Sequence, residues 1–127
     1  MQPIPRELDE ASNKVIGAAI EVHKLMGPGL LESVYEKALL HEFKLRGLAA
    51  RQQVPVRVQY KDLDIDGQRL DLVVDPGVVV ELKTVDRLLP IHEAQLLSYL
   101  KSTGMRLGLL INFHQEVLSK GVKRLVN

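Results

Sequence analysis

The sequence lacks cysteine and tryptophan, and it contains only three tyrosines and two phenylalanines among its 127 residues. The absence of cysteine excludes disulfide bonds, thiolate metal sites and cysteine nucleophiles, and it fits a reducing compartment. So few aromatic side chains argue against a broad base-stacking platform. The N-terminus lacks an apolar signal-peptide core, and no stretch approaches the roughly 18 apolar residues of a membrane span. We therefore expect a cytoplasmic protein that does not insert into a membrane.

A strong excess of one charge is also missing, because the formal net charge is only +1. The molecule as a whole therefore attracts a polyanion weakly, and any binding of nucleic acid must depend on a local patch. Hydrophobic residues make up 46% of the chain, which is enough for one core, whereas the length is too short for two ordinary domains. We predict a single domain over residues 1–127.

The spacing of apolar residues predicts three helices, over 9–26, 31–47 and 91–101, and four strands, over 52–60, 68–74, 78–83 and 106–112. Turns are expected at Gly27-Pro28-Gly29, Asp66-Gly67 and Asp75-Pro76-Gly77. The tail over 117–126 fits either a further short strand or irregular packing. This order predicts an α/β fold, with a central mixed β-sheet flanked by helices.

The second and third strands predict a hairpin that brings two acids together. A turn centred on Pro76 places Asp71 opposite Glu81, and directly opposed like charges repel. A hard divalent cation would offset this repulsion, so the two carboxylates and the Leu82 carbonyl form a candidate Mg²⁺ or Mn²⁺ site. Lys83 shares the acidic face and is suited to orient water or stabilise charge on a phosphate. The other face of the hairpin is aliphatic and is expected to be buried: Leu70, Leu72, Val74, Val78, Val80 and Leu82.

An ordinary solvated face is the alternative interpretation of the same hairpin. In that case diagonal surface ion pairs would join Arg69 to Glu81 and Asp71 to Lys83. Two valines on the acidic face, at positions 73 and 79, favour partial burial and place the acids at the edge of a cleft.

Two helical pairs are candidates to complete the site. Glu32 and Glu36 lie one turn apart; capping and solvation explain Glu36, whereas Glu32 fits either a cap or the site. Gln95 and Tyr99 also share a helix face, where they form either an ordinary polar surface or hydrogen bonds to a phosphate, a base or a carboxylate. The histidines lack metal-ligand spacing, so a histidine-based zinc site is not predicted.

Together these motifs resemble those of the PD-(D/E)XK nuclease superfamily. Nine residues separate Asp71 from Glu81-Leu82-Lys83, and the Gln95-x-x-x-Tyr99 element is similar to that of the RecB-like branch. The segment Gly29-Leu-Leu-Glu32-Ser-Val-Tyr35 resembles the motif for which the GxxExxY family is named. The resemblance extends from the first helix to the Gly121-Val-Lys-Arg-Leu tail. No proline precedes Asp71, which departs from the pattern in the superfamily's name.

The resemblance implies a restriction-endonuclease-like core and a Mg²⁺- or Mn²⁺-dependent nuclease. Asp71, Glu81 and Glu32 would be metal ligands, Lys83 the catalytic lysine, and Gln95 and Tyr99 supporting residues. The expected partner is a nucleic acid, DNA in preference to RNA. Two alternatives stay open: a non-catalytic module that binds nucleic acid or protein, and a subunit that is active only in a homo-oligomer or with a protein partner.

Overall fold

The structure, a computed structural model, describes residues 3–127 and contains a five-stranded mixed sheet with three α-helices. The helices are α1 (Arg6–Met26), α2 (Glu32–Leu45) and α3 (Pro90–Thr103). The strands are β1 (Ala50–Tyr60), β2 (Leu63–Val74), β3 (Val78–Lys83), β4 (Leu107–Asn112) and β5 (Val122–Val126). They lie side by side in chain order; β3 and β4 are parallel, and the other neighbours are antiparallel. The predicted α/β fold is confirmed.

Helices cover both faces of the sheet. On one face, α1 and α2 pack on a cluster that includes Leu72, Val74, Val80 and Leu82. On the other, Leu96, Tyr99 and Leu100 of α3 pack on Val73 and Val79. Full burial of a leucine or valine side chain stabilises the fold by roughly 1.5–3 kcal/mol. The predicted partial burial of the acidic face is confirmed, because α3 covers its valines.

The predicted aliphatic face is wrong at Leu70. This side chain packs on the α3 side with Val73, whereas Leu72 packs on the opposite face. The alternation of β2 between the two faces therefore breaks at Asp71. The ladder with β1 is also irregular there: Gln52 pairs with Leu72 and Val54 with Leu70, while the intervening Gln53 has a φ of 49°. A non-glycine residue rarely adopts this left-handed conformation.

The predicted register of the hairpin is confirmed where β2 and β3 pair. Leu72 faces Val80, Val73 faces Val79 and Val74 faces Val78, and the pairing reaches no further toward Asp71 and Glu81. Strand β3 instead continues beside β4 as far as the pair Lys83 and Asn112. The two strands thus separate where the acids lie.

The predicted turn at Asp66-Gly67 is wrong, because both residues lie within β2. The register with β1 shifts between Val56, which faces Gln68, and Val58, which faces Ile65. Asp66 and Gly67 therefore form a bulge in β2. The φ of 118° at Gly67 suits that bulge. The chain reverses instead at residues 61–62.

The tail contains a short 3-10 helix, Leu118–Gly121, followed by β5, which pairs with β4. Within residues 3–127, no helix is long and apolar enough to cross a membrane.

Candidate active site

The candidate site is the gap that opens between β2 and β3. Asp71 Oδ2 accepts a hydrogen bond from the Leu82 N–H at 2.8 Å, and Glu81 Oε1 accepts one from the Asp71 N–H at 3.0 Å. Each carboxylate therefore accepts a backbone N–H of the other strand, as a backbone carbonyl would in a regular β-ladder. Because the N–H and C=O of a strand residue point to the same side, the Leu82 carbonyl also faces β2. The predicted meeting of Asp71, Glu81 and Leu82 is present in the structure.

Glu81 is buried, with 7% of its surface exposed. Burial raises the pKa of Glu81 to about 8, and the negative charge of Asp71 and a hydrogen bond between the two side chains contribute to the increase. The Asp71 N–H and the nearby Lys83 ammonium act in the opposite direction on this pKa. In the absence of a cation, Glu81 therefore keeps its proton at neutral pH.

The alternative of a solvated face with diagonal ion pairs does not agree with this geometry. Over residues 3–127, neither Arg69 with Glu81 nor Asp71 with Lys83 forms an ion pair. The burial of Glu81 also differs from what an exposed ion pair requires. Lys83 lies half-buried at the end of β3, close enough to lower the pKa of Glu81.

Helix α2 places its acids beside Asp71. Burial first, and then the charge of Asp71, raises the pKa of Glu32, while Lys83 lowers it. The same two causes, in the same order, raise the pKa of Glu36. Glu36 accepts a hydrogen bond from Gln53 Nε2 at 3.0 Å. The interpretation of Glu36 as a capping and solvated residue was therefore incomplete, because its carboxylate lies within electrostatic reach of the site.

Helix α3 contributes a chain of hydrogen bonds. Gln95 Nε2 donates to the Tyr99 hydroxyl at 2.9 Å, and that hydroxyl donates to Gln68 Oε1 at 2.6 Å. Tyr99 is buried, with 7% exposed, and burial followed by the charge of Glu81 raises its pKa. It therefore remains a donor at neutral pH. Gln95 and Tyr99 share a helix face as expected, and they also bond to each other. His92 Nδ1 accepts a hydrogen bond from the Leu89 N–H at the start of α3.

Gln53 and Gln68 were not predicted from the sequence. Both lie in strands, and their partners are 17 and 31 residues away along the chain. Gln53 occupies the β1 position that faces Asp71 when the register of the neighbouring pairs is extended. The position of Gln53 opposite Asp71 was the only feature of the sequence that could have indicated its role. Recognising it required the register of β1 with β2, which the sequence alone did not define.

The donor set suits a hard divalent cation in part. Among the described residues 3–127, no group of three or more histidines, aspartates or glutamates is arranged to hold a metal ion. Glu32 therefore lies near Asp71 without completing a three-acid site. However, Mg²⁺ typically binds one or two carboxylates and keeps several waters that substrate phosphates can replace. Two carboxylates with the Leu82 carbonyl fit that requirement.

Comparison with protein families matches residues 9–125 to the PD-(D/E)XK nuclease superfamily. The matched region extends from α1 into β5 and includes every candidate site residue. Comparisons with curated proteins and with solved structures find no match.

Proposed function

The chain belongs to the PD-(D/E)XK nuclease superfamily, and on that premise we propose that it is a metal-dependent nuclease that hydrolyses phosphodiester bonds of DNA or RNA. The observation that carries this proposal is the pair of carboxylates, Asp71 and Glu81, in the gap between β2 and β3. A buried acid beside a second, half-buried acid destabilises the metal-free fold, so a function at this position is its best explanation.

The proposed ligands of Mg²⁺ or Mn²⁺ are Asp71, Glu81 and the Leu82 carbonyl, with Glu32 as a further carboxylate beside them. When bound, such a cation polarises a phosphoryl oxygen and lowers the pKa of bound water. Lys83 offers a positive charge to the phosphate as negative charge develops on it.

Tyr99 and Gln95 hold the α3 side of the site in place, because their hydrogen bonds continue to Gln68. The Gln68 oxygen is occupied by Tyr99, so the amide N–H groups of this exposed residue are its remaining donors. We propose that they bind a phosphate or base of the substrate.

Five finer assignments belong to the same proposal. Gly29, Glu32 and Tyr35 support membership of the GxxExxY family, and Gln95 with Tyr99 supports the RecB-like branch. All elements pack on one sheet, which supports a single nuclease-like domain over 1–127, although residues 1 and 2 lie outside the described part. We also propose DNA as the preferred substrate and the cytoplasm as the location.

A cleavage assay on single- and double-stranded DNA and RNA, with Mg²⁺ or Mn²⁺, tests the proposed activity. The variants are Asp71→Ala and Lys83→Ala, and the matched control is Asp62→Ala, which alters an exposed acid in the β1–β2 turn. We expect the wild type and the control to cut at least one substrate and both site variants to lose most activity. Equal cutting by all four proteins would indicate a contaminating nuclease and contradict the proposal.

A second candidate function is a non-catalytic module that binds nucleic acid or protein. The observation in its favour is that no three-acid metal group forms among residues 3–127. It predicts that the wild type binds an oligonucleotide without cutting it and that Asp71→Ala binds equally well. Light scattering of the same samples distinguishes a monomer from an oligomer whose assembly is needed for activity.

A further inference from the structure

Tyr35 is buried between the turn that precedes α2 and the end of β4, with no exposed surface. Its hydroxyl donates a hydrogen bond to the Gly27 carbonyl at 2.5 Å and accepts one from the Leu30 N–H at 3.2 Å. Both bonds go to the turn that joins α1 to α2. Because Tyr35 belongs to α2, its hydroxyl links both ends of the turn to that helix.

Two glycines determine the backbone conformation of the turn. Gly27 and Gly29 adopt φ values of 68° and 99°, which are open to glycine and unfavourable for other residues. The residue before α2, Leu31, offers no side-chain cap to the helix. Glu32 is the first residue of α2 and follows Leu30 by two positions. The Leu30 N–H that bonds to the Tyr35 hydroxyl therefore lies two residues before the carboxylate-bearing Glu32.

The ring of Tyr35 contacts the residue that follows β4. It stacks on Phe113 with the ring centroids 4.4 Å apart and an interplanar angle of 13°. The Phe113 N–H donates to the Lys83 carbonyl at 2.9 Å. One side chain thus contacts both the turn that precedes Glu32 and the residue whose backbone is bonded to Lys83.

We propose that Tyr35 is a positioning residue that sets the carboxylate of Glu32 relative to Lys83 and Asp71. This inference rests on the proposed nuclease function. It also gives a physical reason for the spacing Gly29-x-x-Glu32-x-x-Tyr35. The glycine supplies the left-handed backbone of the turn. The glutamate begins the helix at the site. The tyrosine, nearly one helical turn later, bonds that helix to the turn.

The test is a double-mutant cycle with Tyr35→Phe and Glu32→Gln. The phenylalanine keeps the stack on Phe113 and removes both hydroxyl hydrogen bonds. Displacement of a catalytic group by about 1 Å can cost on the order of 100-fold in rate, so we expect Tyr35→Phe to lower kcat by tenfold or more, with KM nearly unchanged. In the Glu32→Gln background the same change is expected to cause no further loss, because the carboxylate it positions is already absent.

Gly29→Ala provides a second variant that leaves the core untouched. Nothing lies within 4 Å of the added Cβ, but the positive φ disfavours alanine, so the turn must shift. It should reproduce the loss in kcat and also depend on Glu32. The control is Tyr60→Phe, which removes a hydroxyl from a tyrosine that is 62% exposed, and it should match the wild type.

A readout independent of activity keeps this inference separate from the proposed function. Backbone ¹⁵N relaxation at residues 29–32 should show more motion in Tyr35→Phe than in the wild type. The same residues in Tyr60→Phe should match the wild type. Additive losses in the cycle, or rigid residues 29–32 in Tyr35→Phe, would overturn the positioning role. An inactive wild type in which Tyr35→Phe still loosens the turn would instead refute the nuclease and leave Tyr35 as an organiser of the turn.

Discussion

Replacing Glu81 with glutamine should stabilise the metal-free protein at neutral and alkaline pH. The wild-type side chain is buried and its pKa is raised to about 8 by that burial and by Asp71. Glutamine has nearly the same shape as the protonated acid. It can accept the hydrogen bond from the Asp71 N–H and donate to the Asp71 carboxylate, but it carries no charge at any pH.

The magnitude follows from the difference in proton binding between the folded and unfolded chains. An unfolded glutamate has a pKa near the reference value of 4.5. Between that value and about 8, the folded state therefore binds more protons than the unfolded state. Stability is consequently highest below the unfolded pKa and falls as the pH rises through the folded one. One pKa unit corresponds to about 1.4 kcal/mol, so the loss over the three pH units between pH 5 and pH 8 is at most roughly 4 kcal/mol.

Urea unfolding in the presence of a chelator, from pH 5 to pH 8.5, measures this effect in the wild type and in Glu81→Gln. Every other titrating group is present in both proteins, so the difference between the curves reports Glu81 together with the groups that interact with its charge. We expect the curves to diverge as the pH rises, with the variant the more stable. Glu116→Gln, in an exposed loop, serves as a control that should follow the wild type. Parallel curves for the wild type and Glu81→Gln would refute the burial argument.

Three further predictions concern the site and the core. Mn²⁺ affinity, measured by calorimetry in buffers of different ionisation enthalpy, should increase from pH 6.5 to pH 8.5 with proton release, because the cation displaces the proton that burial keeps on Glu81; an affinity independent of pH would contradict this. Lys83→Ala should lower kcat by about 100-fold or more while calorimetry still detects Mn²⁺ binding, since the ammonium acts on the phosphate and not on the cation; loss of metal binding would assign Lys83 a structural role. Gly108→Ala should destabilise the fold by about 1–3 kcal/mol in urea unfolding, because its Cβ would lie 3.1 Å from the Leu96 side chain; an unchanged midpoint would show that α3 moves away freely.

The hairpin illustrates what the sequence predicts well. The Asp75-Pro76-Gly77 turn and the alternating aliphatic residues on either side of it define the register, because a shift by one residue would move the aliphatic residues of one face to the face that carries Asp71 and Glu81, and would turn those acids toward the core under α1 and α2. The pairs Leu72 with Val80 and Val74 with Val78 follow from that constraint alone. The approach of Asp71 to Glu81 is a consequence of the same register.

Other features required information that is not local. Asp66-Gly67 has the composition of a turn, but its glycine serves a bulge within β2, and only the length of the partner strand distinguishes the two. Leu70 lies on the opposite face from Leu72 because the alternation breaks at Asp71. Gln68 joins the site through Tyr99, a contact that depends on how α3 crosses the sheet. These contacts are set by tertiary packing and not by periodicity.

Calorimetric titration of Mn²⁺ into the wild type, Asp71→Ala and Glu81→Ala tests the central claim most directly, which is that the gap between β2 and β3 holds a cation. We expect binding to the wild type at a single site and its disappearance in both variants, with unchanged binding in the exposed control Asp62→Ala. Absence of binding to the folded wild type, or equal binding by all four proteins, would contradict the assignment of Asp71 and Glu81 as metal ligands.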